Sequence, residues 1–342
     1  MKILYGVQGT GNGHISRARM MAKHFAARNT QVDYLFSGRD PERYFDMEAF
    51  GNYQTRTGLS FATRNGAISY WHTLTESHPV QFVQEIRNLD VSGYDLIITD
   101  FEPVTAWAGK LAGKPVIGIG HQYAFHHNGV PSSQRYWLSR VIMRCFAPVS
   151  FGLGLHWSDF GGPIMPPIIN PEVEGKAGDK IVVYLPFENQ QTVTALLMQL
   201  PEYHFVQYSP ELEDNQCHNV QLRKTSLAGF KRDLANSRAV ICNAGFELIS
   251  ECLHMGKSVL AKPVLGQGEQ DANALALRQL EVADTIESLD LNAIRRWLNN
   301  CPSRQAIIYP DVAEALVDWV LDGNYNNPDA LARRLWQQTS SA

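Results

Sequence analysis

Short apolar runs, each ending in glycine or a polar turn, alternate along the chain with stretches whose apolar residues recur at helical spacing. In the first half the runs fall at 3–7, 31–36, 94–100, 115–120 and 151–155; in the second half they fall at 180–185, 203–208, 219–222, 239–241 and 258–261. Runs this short, without polar alternation, predict strands buried on both faces, as in a parallel sheet covered by helices. The stretches between them supply the helices. One opens after Gly9-Thr-Gly-Asn-Gly13 and continues to about Ala27, and another carries Phe246, Ile249, Leu253 and Met255 before Gly256 closes it. Further helices are expected from Leu289, from Asp311 and over 328–338. Strand–helix alternation of this kind predicts an α/β architecture of doubly wound Rossmann-like domains.

At 342 residues the chain exceeds most single domains. The segment 161–171 is dense in proline and glycine and reads as the connection. It separates an N-terminal unit, 1–160, from a second unit, 172–325, with a last helical segment in 326–342.

Composition narrows the field without naming a chemistry. The hydrophobic share of 44% and charged share of 19% are ordinary for a globular protein, and a net charge of −4 gives no pull toward nucleic acid. The five cysteines form no Cys-x-x-Cys pair, which fits reduced thiols in a cytoplasm. Residues 2–7 are too short for a signal-peptide core and run straight into a turn, and no apolar run approaches a membrane span. The segment 134–146 sets Arg135, Arg140 and Arg144 beside Trp137, Leu138 and Phe146. Such a face either packs its apolar side in the usual way or rests on anionic lipid, which would place the protein on the inner face of a membrane.

Candidate chemistry gathers at two loops per half, because ligands of open parallel sheets sit beyond the carboxyl ends of the strands. Gly9 to Gly13 invites a dinucleotide reading, but the third glycine position holds His14 or Ser16 and the second strand ends without an acid. What remains is a glycine-rich turn, with Gly11 and Gly13, leading into His14 at a helix start. A histidine base works best beside a carboxylate that fixes its tautomer. Asp100, at the end of a buried strand on the same sheet edge, is that candidate; it could equally cap the helix at Pro103, and Glu102 is the reserve. The loop-rich stretch 55–78, with Trp71, and the run from His121 to His127 supply acceptor-side candidates or simple packing. Three histidines there without carboxylate or thiolate partners predict no metal site. In the second half, Asn243-Ala244-Gly245 at a helix start can hold an anion. Glu269 and Gln270 are side chains suited to hydroxyl groups. Arg223 and Lys224, near Thr225, either neutralise an anionic ligand or only solvate a surface, and Asn189 and Gln190 either cap a helix or touch phosphate.

The frame Asn243, Gly245 and Glu251, the strand 257–263 and the close Glu269-Gln270-x-x-Asn273 resemble the donor motif of UDP-sugar glycosyltransferases of the GT-B type. The opening Gly-x-Gly-His14 is similar to that of family 28 glycosyltransferases, among them the peptidoglycan N-acetylglucosaminyltransferase. Two positions depart from the pattern: Asn243 stands where many relatives have His, and Glu247 stands where they have Asn. The resemblance implies two domains facing across a cleft, with the last helix crossing back to the first domain. It implies ribose hydroxyls on Glu251, the sugar on Glu269 and Gln270, the diphosphate near Ala244 and Gly245, and a nucleobase turn around Arg223 and Thr225. It also implies His14, oriented by Asp100, as general base toward a small-molecule or lipid-linked acceptor. No cofactor or metal is expected, since the chain contains no Asp-x-Asp. The same architecture would serve a UDP-sugar 2-epimerase or a nucleotide-sugar-binding regulatory module.

Overall fold

The computed structural model describes the chain apart from residues 60–62, 65–66, 69–78, 133–144, 177, 324, 326 and 342, with backbone alone at 63–64 and 67–68. The first half comprises β1 (Lys2–Gln8), α1 (Asn12–Ala27), β2 (Gln31–Ser37), β3 (Tyr53–Arg56), α2 (Pro79–Asn88), β4 (Leu96–Asp100), α3 (Pro103–Leu111), β5 (Val116–Gly120), the short α4 (His121–Ala124) and β6 (Phe151–Gly154). Its strands pair in the order β3-β2-β1-β4-β5-β6, all parallel. The second half comprises β7 (Lys180–Tyr184), α5 (Gln190–Leu197), β8 (Phe205–Ser209), β9 (Asn215–Cys217), β10 (Val220–Lys224), α6 (Leu227–Ala235), β11 (Ser237–Asn243), α7 (Phe246–His254), β12 (Ser258–Lys262), α8 (Gly268–Leu280), β13 (Asp284–Thr285), α9 (Leu291–Asn299), α10 (Val312–Asp322) and α11 (Pro328–Gln338). Here the order is β9-β10-β8-β7-β11-β12-β13, parallel except for β9.

The apolar runs become central strands because both of their faces are covered. In β1, Ile3, Tyr5 and Val7 enter one core cluster while Leu4 enters another; in β7, Val182 joins the first of these clusters and Ile181 and Val183 a third. Side chains alternate across a strand, so such burial demands helices on both sides. Two edge strands have no such run. β3 is half exposed, and the antiparallel β9 is polar, so neither carried an apolar signal.

Each sheet has one point where the winding reverses. In the first it lies between β1 and β4, in the second between β7 and β11. At such a point neighbouring connections diverge and leave a crevice at the carboxyl ends. The two crevices face each other.

The halves are fastened by the C-terminal segment as well as by 161–171. α11 reaches back, its Trp336 Nε1 donating to Ile164 O at 2.7 Å. α10 also packs on α1, where His24 lies 3.0 Å from Asp311 and Arg28 pairs with Asp318. His254, the last residue of α7, meets both chain crossings. Its Nε2 lies 3.2 Å from Pro171 O, and its Nδ1 accepts from Tyr309 N at 3.2 Å. No helix among the described residues is long and apolar enough to cross a membrane. The basic-aromatic segment at 134–144 lies outside the described residues.

Candidate active site between the two sheets

On the N-terminal side, β1 ends at Gln8 and the chain turns into α1 through Gly11, which caps the helix in extended conformation. His14 therefore sits in the first turn, beside the carboxyl end of β4. Asp100 ends that strand, and the next residue, Phe101, takes φ +54°, a left-handed conformation that costs a side-chain-bearing residue roughly 1–2 kcal/mol. That tight turn sends the Asp100 carboxylate toward α1 and lets Glu102 start α3. His14 Nδ1 lies 2.8 Å from Asp100 Oδ1. Asp100 is fully buried, whereas His14 keeps 13% of its side chain exposed, so the ring is the solvent-facing member of the pair.

Glu102 does not join them. Its Oε1 accepts from Val104 N at 2.8 Å and from Ser37 Oγ at 2.6 Å; its Oε2 accepts from Thr105 N at 2.7 Å and Thr105 Oγ1 at 2.6 Å. It is the helix cap that Asp100 might have been, fully buried with both oxygens engaged, and it has no free oxygen to offer an acceptor. Burial raises its carboxyl above the usual range, and these donors oppose the rise.

The side chain that dominates the site electrostatically is one the motif comparison passes over. Arg17, one helical turn after His14, is 2% exposed. Its Nε donates to Asp100 Oδ2 at 2.9 Å and its Nη2 to Asp100 Oδ1 at 2.7 Å, a bidentate clamp. Its Nη1 reaches across the cleft to Glu247 in the first turn of α7. Burial would raise Asp100, but Arg17 and His14 outweigh it and hold the carboxyl below the usual range. Glu247 receives one guanidinium N–H where Asp100 receives two, and it faces the charges of Asp100 and Glu251 as well. Burial pushes it up to about 7 against the pull of Arg17. Arg17 is held firmly as a cation, its two carboxylates outweighing burial. The departure at 247 thus has a partner in the other half. Gly13 belongs to the same contact: a Cβ there would stand 2.6 Å from Glu247 Cγ, so the glycine makes room for the Glu247 side chain. Gly11 has no such constraint, since its nearest neighbour would be a His14 ring carbon at 3.6 Å.

On the C-terminal side, β11 ends at Asn243 and α7 starts after Gly245 without a side-chain cap. The Ala244 and Gly245 amides already donate to Lys262 O at 3.1 Å and Asn243 O at 2.8 Å. The orphan donors of this helix are therefore those of its own first turn, one step later than the sequence placed them. Asn243 is buried; its Nδ2 donates to Lys262 O at 3.1 Å, and its Oδ1 has no partner among the described residues.

An open cleft of about 690 Å³, measured out to its mouth, lies between α1, α6 and α7. Gly13, Thr225 and Glu251 line it together, with Tyr184, Leu227 and Phe230 as apolar wall. Thr225 Oγ1 is buried and unpartnered among the described residues. Glu251 pairs with Lys231, a lining cation that no motif marked. Arg223 is turned to Asp214, 3.6 Å away at the strand edge, and is not among the lining residues. Lys224 pairs with Glu213 at 2.8 Å on the surface. Asn189 caps α5, accepting from Thr192 N at 2.9 Å.

The motif Glu269-Gln270-x-x-Asn273 opens α8, facing α4. Gln270 is buried and its Oε1 accepts from Val264 N at 2.9 Å, which shapes the loop and commits one of its two polar ends. Glu269 Oε2 accepts from Gln122 Nε2 at 3.1 Å. His121 proves to be an interdomain strut and not an acceptor contact. It is 1% exposed, its ring stacks on Phe246 at 4.0 Å, and its Nε2 lies 2.7 Å from Asn273 Oδ1. Asn273 Nδ2 in turn donates to Ala244 O at 2.9 Å. Burial lowers the His121 pKa, with Glu269 opposing. Trp71 lies outside the described residues. Among the described residues no group of three or more His, Cys, Asp or Glu side chains is arranged to hold a metal ion.

The family model described as glycosyl transferase family 1 matches residues 1–302. The chain belongs to glycosyl transferase family 1. A comparison with curated proteins finds no match. Among solved structures, the glycotransferase of kitacinnamycin is similar at 15% identity, covering 99% of both chains with a TM-score of 0.61. The Streptomyces sp. SF2575 glycosyltransferase SsfS6, complexed with thymidine diphosphate, is similar at 13% identity over 99% of both chains, TM-score 0.59. Acinetobacter baumannii MurG is similar at 14% identity over 94% of this chain and 100% of its own, TM-score 0.55. At such identities the likeness is one of fold. This family 1 protein has the GT-B architecture of two Rossmann-like domains, and it is a glycosyltransferase. The similarity to family 28 stays a resemblance of the N-terminal turn.

Proposed function

We propose that this glycosyltransferase moves a sugar from a nucleoside diphosphate carrier to an acceptor hydroxyl with inversion, His14 serving as general base and no metal taking part. The His14–Asp100 contact of 2.8 Å, at the winding reversal of one sheet and opposite the uncapped start of α7 at the other, supports this reading above all. His14 Nδ1 meets both Asp100 Oδ1, an acceptor, at 2.8 Å and Arg17 Nη2, a donor, at 3.0 Å; in the tautomer that gives Nδ1–H to Asp100, the Nε2 lone pair is left to take a proton. As Nε2 takes the acceptor's hydroxyl proton, the acceptor oxygen bonds to the anomeric carbon. The bond from that carbon to the phosphate oxygen breaks, and its electron pair leaves with the nucleoside diphosphate. The first-turn amides of α7 and the helix dipole stabilise that charge.

For the nucleoside, the apolar wall of Tyr184, Leu227 and Phe230 suits a base, Thr225 Oγ1 offers a hydrogen bond, and Glu251 suits ribose hydroxyls. Uridine is the reading from the motif, and the thymidine diphosphate in the SsfS6 structure favours keeping dTDP-sugars beside it. The acceptor is a small molecule or a lipid-linked one; the latter would bring the segment 134–146 to the inner face of a membrane.

The test pairs binding with turnover. Thermal shifts with UDP-, dTDP- and GDP-sugars in EDTA should show one nucleotide class stabilising the protein. His14→Ala should keep that shift while slow hydrolysis of the same donor falls by about 10²–10⁴-fold. Parental hydrolysis in the variant would remove His14 from the mechanism, and binding that requires added metal would remove the metal-free donor site.

A further inference from the structure

Lys231 of α6 and Glu251 of α7 both line the cleft, so what lies between them faces a ligand. Lys231 follows Leu227 by one helical turn and continues the face that presents Leu227 to the cleft. Its Nζ donates to Glu251 Oε1, and no other hydrogen bond reaches the Glu251 carboxylate among the described residues. The carboxylate is the more enclosed partner, its side chain 13% exposed against 32% for the lysine. The other cations nearby are committed elsewhere. Arg17 serves Asp100 and Glu247. Arg19, which also lines the cleft, gives its Nε to Asp46 O at 3.1 Å and its Nη2 to Phe45 O at 3.0 Å and Asp46 O at 2.8 Å. Glu251 thus offers a ligand one oxygen held by an ammonium and one oxygen open.

A ribose brings two neighbouring hydroxyls, and an unpaired carboxylate can receive one on each oxygen. Here the hydroxyl directed at Oε1 has to compete with a donor that carries a full charge, in a cleft where the pair is partly shielded from water. A 2′-deoxyribose brings its 3′-hydroxyl alone, which the open Oε2 satisfies. The pair therefore costs a deoxyribonucleotide nothing and leaves a ribonucleotide with one hydroxyl poorly bonded in a site that has displaced its water.

We propose that Lys231 is a specificity-determining residue for the donor: by holding one oxygen of Glu251 it makes the cleft favour a 2′-deoxyribonucleoside diphosphate over its ribose counterpart. This rests on the reading that Glu251 receives the hydroxyls of the nucleoside.

The experiment is calorimetric binding of UDP, dUDP and dTDP to the full-length protein and to Lys231→Met and Glu251→Gln. UDP and dUDP differ only in the 2′-hydroxyl. Methionine keeps most of the lysine stem without its charge, and thermal unfolding checks that each variant folds. The parent should bind dUDP about threefold to tenfold more tightly than UDP, and Lys231→Met should lose that preference. Removing the cation also weakens both diphosphates by a common factor, which cancels in the ratio. A parent that prefers UDP overturns the inference. A parental ratio in Lys231→Met overturns it too, leaving the lysine only to neutralise Glu251. A ratio that moves further toward dUDP in Lys231→Met overturns it by showing that the ammonium binds the 2′-hydroxyl. Parental affinity for UDP and dUDP in Glu251→Gln removes the nucleoside reading itself, and binding of none of the three nucleotides removes the donor site; the inference falls with either.

Discussion

Glu247→Gln isolates the charge that the cleft holds least comfortably. The amide keeps the size of the carboxylate and an oxygen for Arg17, and removes the ionisation. In the folded protein burial pushes Glu247 up to about 7, from an ordinary value near 4.5 in the unfolded chain. A raised acid pKa means the folded state holds the proton more tightly. Stability from this group is therefore fully present below the unfolded value and is lost as pH climbs from there through about 7. At 1.36 kcal/mol per pKa unit, a rise of this size amounts to about 3 kcal/mol at alkaline pH. Urea unfolding of the parent and Glu247→Gln side by side at intervals from pH 4.5 to pH 8.5 reads the difference, because titrating groups not coupled to Glu247 cancel in the comparison. The two proteins should be nearly equal at the acid end, and the variant should gain on the parent as pH rises, to about 3 kcal/mol. A flat difference would refute the raised value. A variant that loses ground at high pH would show that the Arg17 pair outweighs burial and that Glu247 is held ionised.

Asp100→Asn keeps the shape of the His14 pair while removing the charge that Arg17 clamps; donor turnover should fall by about 10²–10⁴-fold with little change in donor affinity, measured by hydrolysis and calorimetry together. Asn273→Ala removes the bond to the Ala244 carbonyl and the contact with His121 at once. Leaving these buried groups unsatisfied should cost about 1–3 kcal/mol of stability in urea unfolding, and a neutral result would show that the strut carries no load.

The parts of the fold that sequence could show were those set by local pattern. Central strands were legible because burial on both faces forces unbroken apolar runs, and β3 and β9 were not, because an edge strand lacks that demand. The site divided along a similar line. His14 and Asp100 stood out because one begins a helix and the other ends a strand at the same sheet edge, and sheet topology brings such termini together. Arg17 carried a signal that could have been used, since three residues after His14 places it on the same helix face. Its meaning depends on Glu247, which lies far along the chain and read only as a departure from a motif. Gln122 likewise acquires its contact from a partner in the other half, and Lys231 from Glu251 on the neighbouring helix. The assignments that moved did so for hydrogen-bonding reasons. Glu102 was absorbed as a cap, His121 was drawn into the interface by Asn273, and the Ala244 and Gly245 amides were taken by neighbouring carbonyls.

α7 touches the cleft with its first turn and both chain crossings with its last. Glu247 stands at one end and His254, between Pro171 and Tyr309, at the other. Its nine residues form a rigid rod of about 13 Å. One short helix is therefore shared between the cleft and the two connections that hold the halves together, so the charge on Glu247 and the tethering of His254 bear on opposite ends of a single element.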